Sequence, residues 1–339
     1  MQQTQANAAR AQQARLQLLH ILDRFGIVLV LLLMALGLTI LRPTTFPTAE
    51  NLANIGRQVP FIALLALGQF FVVLTAGIDL SVGSIMALSM VTLALGAQAG
   101  LPPVVLILIP LLVGLGVGLL NGLGLTWLRL PHPFIMTLGT QYIARGVTNL
   151  ITGGVPISGL PEPVRWFGAG DIPLFQMGDD RIVTPVPIVI VFALYGLAAL
   201  WLYRTRTGRH IYAVGGNPQA ALYAGINVDR VLLVVYCASG LMAGLAGLIL
   251  AGRTNSGYPN AGIGDELYAI AAVIIGGASF FGGRGSVLGV LSGVLIIGLL
   301  RNGLNLLNIS VFWQQVLIGV VIVAAVYGDV LRQRFARNG

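Results

Sequence analysis

A chain of 339 residues that is 56% apolar and only 9% charged is not a soluble domain, where the charged share is about a quarter; with a mean hydropathy of +0.89 it belongs in a membrane. All 19 basic residues are arginine, so the chain has neither the lysine that a P-loop places on the β/γ-phosphates nor a Schiff-base lysine, and no hydrolase motif accompanies them; no enzyme activity is expected. The formal charge of +8 lies mainly in loops and tails, which marks orientation and not nucleic-acid binding, while one cysteine (Cys237) and three scattered histidines leave no expected disulfide or metal site.

Residues 1–25 form a polar tail rich in Gln, Ala and Arg. The apolar run 27–41 has no small-residue cleavage site and reads as a retained first span. A polar connection, 42–58, carries two prolines and a short amphipathic helix from Ala49. Spans 2 and 3 occupy 60–76 and 85–98, separated by GIDLSVGS (77–84), which holds the one acid of a long apolar region. Span 4 is 104–128 and span 5 is 134–152, joined by the tight turn 129–133; the long polar loop 153–184 follows. Span 6 is 185–203. A basic loop, 204–230, leads to spans 7 (231–251), 8 (267–280), 9 (286–300) and 10 (312–327), and a basic tail, 329–339, ends the chain. The expected class is all-α, polytopic, with about ten spans over 26–328. Several runs fall short of the ~20 residues that cross a bilayer.

Within the basic loop, GGNPQAALYAGINVDR reads as a complete two-turn helix. Asn217 is a preferred N-cap, Pro218 stands at the first helical position, Gln219, Ala220 and Ala221 open a helix-forming run, and Gly225, followed by Ile226, supplies a left-handed stop. So short a helix needs a surface to pack on. It is either a joint between two spans or a docking element. In span 5, Thr137, Thr140, Gln141, Arg145 and Thr148 share one helical face. An arginine amid a span calls for water or a partner, so the stripe is expected to face a polar cavity. Gly77, Asp79, Ser81, Gly83 and Ser84 read as a turn in which the Asp79 carboxylate caps the next helix; cation coordination or proton carriage is the competing role. Gly283, Arg284 and Gly285 read as a second tight turn. Asn302, Asn305, Gln314 and Gln315 suggest hydrogen bonding between helices.

Several of these segments, in this order, resemble one family: TFPTAENLANIGRQ before span 2, LTAGIDLSVGSIMALS (74–89), PFIMTLGTQYIARGV (133–147), TRTGRHIYAVGGNPQAALYAGINVDR (205–230), ELYAIAAVIIGGASFFGGRGSVLG (266–289) and RNGLNLLNISVFWQQVLIG (301–319). The chain is similar to the permease subunits of ribose/xylose-type ATP-binding-cassette sugar importers, within the branched-chain amino acid/ribose-type permease family. The resemblance implies a type II-like, non-catalytic membrane subunit of a bacterial cytoplasmic membrane. It would pair with a second copy or a paralogue, be driven by a cytoplasmic ATPase, need no cofactor, and receive a monosaccharide from an extracytoplasmic binding protein. It also implies that 217–226 is the helix that couples to the ATPase. One departure from the family pattern is Asp265-Glu266-Leu267-Tyr268, where Tyr and Asp are exchanged around Glu-Leu. An ion-coupled secondary transporter is the alternative, and the lack of paired intramembrane acids argues against it.

With both termini inside, twelve arginines fall on the cytoplasmic side and five outside, the bias expected of cytoplasmic termini. Reporter fusions after Asn217 and Asn338 should therefore be active in the cytoplasm, and one within 168–180 outside. An internal 168–180 loop would overturn the span assignment.

Overall fold

The computed structural model describes residues 26–177 and 180–337; the tail expected over 1–25 and the last two residues of the C-terminal tail lie outside them. The chain is helical almost throughout. In order come α1 (Gly26–Leu41), α2 (Ala49–Gln58), α3 (Pro60–Leu74), α4 (Val82–Gln98), α5 (Pro103–Thr126), α6 (Pro133–Thr152), α7 (Glu162–Ala169), α8 (Val186–Arg204), α9 (Arg206–Gly216), α10 (Pro218–Tyr223), α11 (Val228–Thr254), α12 (Asp265–Ile275), α13 (Val287–Leu306) and α14 (Val311–Arg337). The last of these runs on without a break through most of the expected tail 329–339. Strand β1 (Ile157–Ser158) pairs antiparallel with β4 (Ser256–Gly257), and β2 (Asp171–Met177) with β3 (Asp180–Pro185), within connections expected to be loops.

Not every expected span is a full-length helix. Among the described residues four helices (α5, α8, α11 and α13) are long and apolar enough to cross a membrane, and α2 with α3, bent by 41° at their junction, is a fifth when the pair is counted as one broken span. The bend has a local cause. Pro60 opens α3 and cannot continue the hydrogen-bond ladder of α2. The expected span 8 is the 11-residue α12, about 16 Å at 1.5 Å per residue and too short to cross alone.

The core is built around α3, all fifteen of whose residues are buried. No apolar stripe is needed on a helix that is surrounded. Against it lies α11, and α5 and α4 complete the layer around α11. The α5–α11 crossing has almost no side chains in it. A Cβ added to Gly114 would strike the Gly240 carbonyl, one on Gly118 the Tyr236 carbonyl, and one on Gly244 the Pro110 carbonyl. Small residues four apart on facing helices bring the two backbones together, which is the main route to tight association where lipid removes the hydrophobic drive.

After α3 the chain does not simply turn. Thr75, Ala76 and Gly77 donate back to Val72 and Val73, residues 77–79 then run without helix beside the last turns of α3, where Asp79 meets Gln69, and 80–81 turn into α4. Gly77, Asp79 and Ser81 are buried. The expected turn is thus a return segment folded into the protein, and α4 starts at Val82, three residues before the start expected for span 3.

Gly240→Val should clash with the α5 backbone and lower thermal stability in detergent by about 2 kcal/mol or more, since overpacking a tight contact has that scale. Gly116→Ala, on the open face of α5 where nothing lies within 4 Å, should be neutral or slightly stabilising. Unfolding followed by fluorescence-detected size exclusion separates the two.

Candidate functional site

Two constructions stand out: a polar network among the helices and a capped helix at the arginine-rich end. The network centres on Asp79, which is fully buried. Its Oδ1 accepts from the Ser81 backbone N–H at 3.0 Å and from the Ser81 hydroxyl at 2.5 Å, and its Oδ2 accepts from the Ser239 hydroxyl of α11 at 2.9 Å. The Gln69 amide of α3, oriented with its NH2 toward the Asp79 carbonyl, donates to it at 2.9 Å and accepts from the Asp79 N–H at 3.2 Å. A non-helical backbone buried away from water requires such partners. Asp79 therefore binds a backbone donor, as expected of a cap, but it does so inside the return segment. The N-cap position of α4 belongs to Ser81, which makes no side-chain capping bond.

The network continues outward. Asn121 of α5 donates to the Ser81 hydroxyl at 2.9 Å and accepts from Thr140 of α6 at 2.6 Å. Thr137 donates to the Ile78 carbonyl at 3.3 Å, so of the five stripe residues Thr137 ties α6 to the return segment and Thr140 ties it to α5. Thr148, also buried, bonds the Ala144 carbonyl of its own helix at 2.6 Å. Those three threonines face neighbouring helices within the chain and no opening. Half-buried Gln141 and Arg145 differ: Gln141 donates to Glu266 of α12 at 3.3 Å, and Arg145 donates to the Pro259 carbonyl. The second Glu266 oxygen has no hydrogen-bond partner among the described residues.

Glycines in this region make room. The Tyr236 hydroxyl sits 2.8 Å from where a Gly77 Cβ would be, and a Cβ on Gly83 would strike the Gly262 carbonyl and lie 2.8 Å from Glu266. Ser84 is buried with its hydroxyl unpartnered among the described residues. Sequence reading missed Gln69, Asn121, Ser239 and Glu266. The first three are lone polar side chains in apolar helices, and that isolation was the available signal.

At the other site, α10 forms as its sequence dictates. Asn217 Oδ1 accepts from the Ala220 N–H at 3.0 Å, and Pro218 occupies the first helical position. Gly225 takes φ +80°, its N–H reaches Leu222 at 2.9 Å, and the Ile226 N–H reaches Ala221 at 3.0 Å. That pair of bonds is a complete Schellman stop. Ala221 is 3% exposed and packs on its own chain, while Ala220 is exposed and Leu222 and Tyr223 stand out furthest, 59% and 88% exposed. Beside it Arg129, Gln219, Leu222 and Asn227 border an open cavity of about 630 Å3.

The capped helix is not loosely hung. The Tyr212 hydroxyl of α9 donates to the Gly285 carbonyl at 3.0 Å, and burial, with Tyr203 adjacent, pushes that phenol above its ordinary pKa and keeps it a donor. The Gly283 N–H donates to the Leu74 carbonyl at the end of α3 at 2.9 Å, and a Cβ on Gly215 would overlap that same carbonyl. The turn 283–285 thus joins α9 to α3, with the Arg284 side chain exposed.

Residues 51–326 match the family described as the permease component of the branched-chain amino acid transport system. The chain is 41% identical over 311 residues to the D-allose transport system permease protein AlsC of Escherichia coli K12, covering 91% of each chain. It is 42% identical over 322 residues to the ribose import permease protein RbsC of Bacillus subtilis 168, covering 94% of this chain and 97% of that one. Against the galactose/methyl galactoside import permease protein MglC of Escherichia coli K12 the figures are 36% over 324 residues, with 91% and 94% covered. No solved structure matches the chain. With a family match over most of its length and relatives similar almost end to end, the chain belongs to the permease-component family of these transport systems.

Proposed function

We propose that this chain is the membrane-spanning subunit of an ATP-driven importer, one that passes a monosaccharide from an extracytoplasmic binding protein across a bacterial cytoplasmic membrane. The observation that carries the reading is α10. A six-residue helix closed at both ends and presenting Leu222 and Tyr223 to solvent is built to be covered by another protein, because two turns alone are marginal. In this reading its cover is the groove of a separate cytoplasmic ATPase. Asn217, Pro218, Gln219, Ala220, Gly225 and Ile226 shape the element, and Ala221 anchors it. Both termini are cytoplasmic, and a second permease copy or paralogue completes the pathway.

Movement of α10 would pass through α9 to the turn 283–285 and the end of α3, the contacts that Tyr212 and Gly283 make. The pathway is assigned to Gln141 and Arg145, with Glu266 behind them, because these polar groups are only partly covered within one chain. Thr137, Thr140 and Thr148 act as their support. Neutral sugars are held by hydrogen-bonding side chains of this kind, and Glu266 offsets the charge of Arg145. The names of the relatives, which carry allose, ribose and galactose, point to pentoses and hexoses. Asp79 is committed to Ser81 and Ser239, which disfavours the ion-coupled alternative.

Leu222→Arg should leave insertion and thermal stability unchanged, weaken co-purification with the ATPase, and abolish sugar uptake. Ala221→Arg should destabilise the chain itself, because that side chain is buried. Normal uptake by Leu222→Arg would remove the coupling assignment.

A further inference from the structure

A cavity of about 210 Å3 lies at the end of the bundle away from α10, between the start of α3 and the last turns of α11 and α13. One end is polar, lined by Gln58, Arg253, Thr254 and Arg301; the other is apolar, lined by Phe61, Ile62, Leu250 and Val294. Neither the network around Asp79 nor the capped helix uses it.

The charges there do not balance. Arg301 approaches Asp265 at 3.7 Å and stacks 4.9 Å from the centre of the Tyr268 ring. Arg145 interacts electrostatically with Glu266 and Asp265. Arg253, half-buried, has no ion-pair or hydrogen-bond partner among the described residues. Of the two arginines that line the cavity, Arg301 has a carboxylate within 4 Å and Arg253 has none among the described residues, which leaves one positive charge unbalanced in a partly enclosed space. A guanidinium beside a like charge and away from bulk water calls for an anion, and its planar donor fork suits phosphate oxygens.

We propose that this cavity binds the phosphodiester of an anionic glycerophospholipid. Arg253 and Arg301 grip the phosphate, Gln58 and Thr254 meet the glycerol oxygens, and the acyl end lies toward Leu250 and Phe61. A phosphodiester carries one negative charge, which matches the unbalanced one. The site also stands where α3 begins and α11 and α13 near their ends, the depth at which a leaflet presents its headgroups. The proposal is independent of the sugar-import reading, since it requires only that the chain sits in a bilayer.

Native mass spectrometry of the full chain in mild detergent, titrated with dioleoyl-phosphatidylglycerol, tests it. Wild-type chain should retain one lipid in preference to dioleoyl-phosphatidylcholine. Arg253→Gln should weaken that retention about tenfold, the scale of losing one charge-assisted contact, and Arg253→Lys should keep most of it. Leu250→Phe, which narrows the cavity without touching either arginine, should also lose lipid, so the test survives if Arg253→Gln fails to fold. Equal retention by folded wild type, Arg253→Gln and Leu250→Phe would overturn the proposal. So would saturation by inorganic phosphate that excludes the lipid, which would make this a free-anion site.

Discussion

A carboxylate closed off among apolar helices must be hydrogen-bonded or the fold does not tolerate it, and Asp79 is the group on which the bundle turns. Isolated burial of an ionised carboxylate is prohibitive, whereas one that accepts several good hydrogen bonds can be held. Its two oxygens bind Ser81 and Ser239, and through Ser81 the bonding reaches Asn121 and Thr140. One continuous series of side chains thereby registers α11, the return segment, α5 and α6 against each other. The return segment itself can be non-helical only because Gln69 and Asp79 occupy its backbone groups.

Glycine contacts set the distances at which this network closes. The α5–α11 crossing is backbone against backbone, which leaves no flexible side chain to absorb a displacement. The same holds where Gly215 and Gly283 meet the end of α3. A push on α10 would therefore be carried as rigid-body movement by helices and tight turns, the kind of two-position element that transport requires. The apolar residues left exposed along α1, α5, α6 and α14 are what lipid and a second copy would cover in the proposed assembly.

Much of the architecture is legible in the sequence because it is local. The capped helix at 217–226 follows from Asn217, Pro218 and Gly225 alone, and the helical class follows from hydropathy. Depth was not legible. The sequence around Asp79 has the glycines and serines of an exposed turn, and only the pairing with Gln69, ten residues earlier, shows that the chain doubles back. The short α12 likewise follows a connection, 255–264, that no periodicity marks. In span 5 the polar stripe was visible as a face. Whether it met water or other helices depended on Asn121, Ile78 and Glu266, which lie far off in sequence.

The central claim is that this chain moves sugar only as part of a larger machine. Its most direct measurement is uptake of labelled ribose or allose into proteoliposomes that contain the chain, with a partner ATPase and binding protein added or withheld. Uptake that requires ATP and both partners is the expected result. Uptake by the chain alone, driven by a proton or sodium gradient and indifferent to ATP, would contradict it.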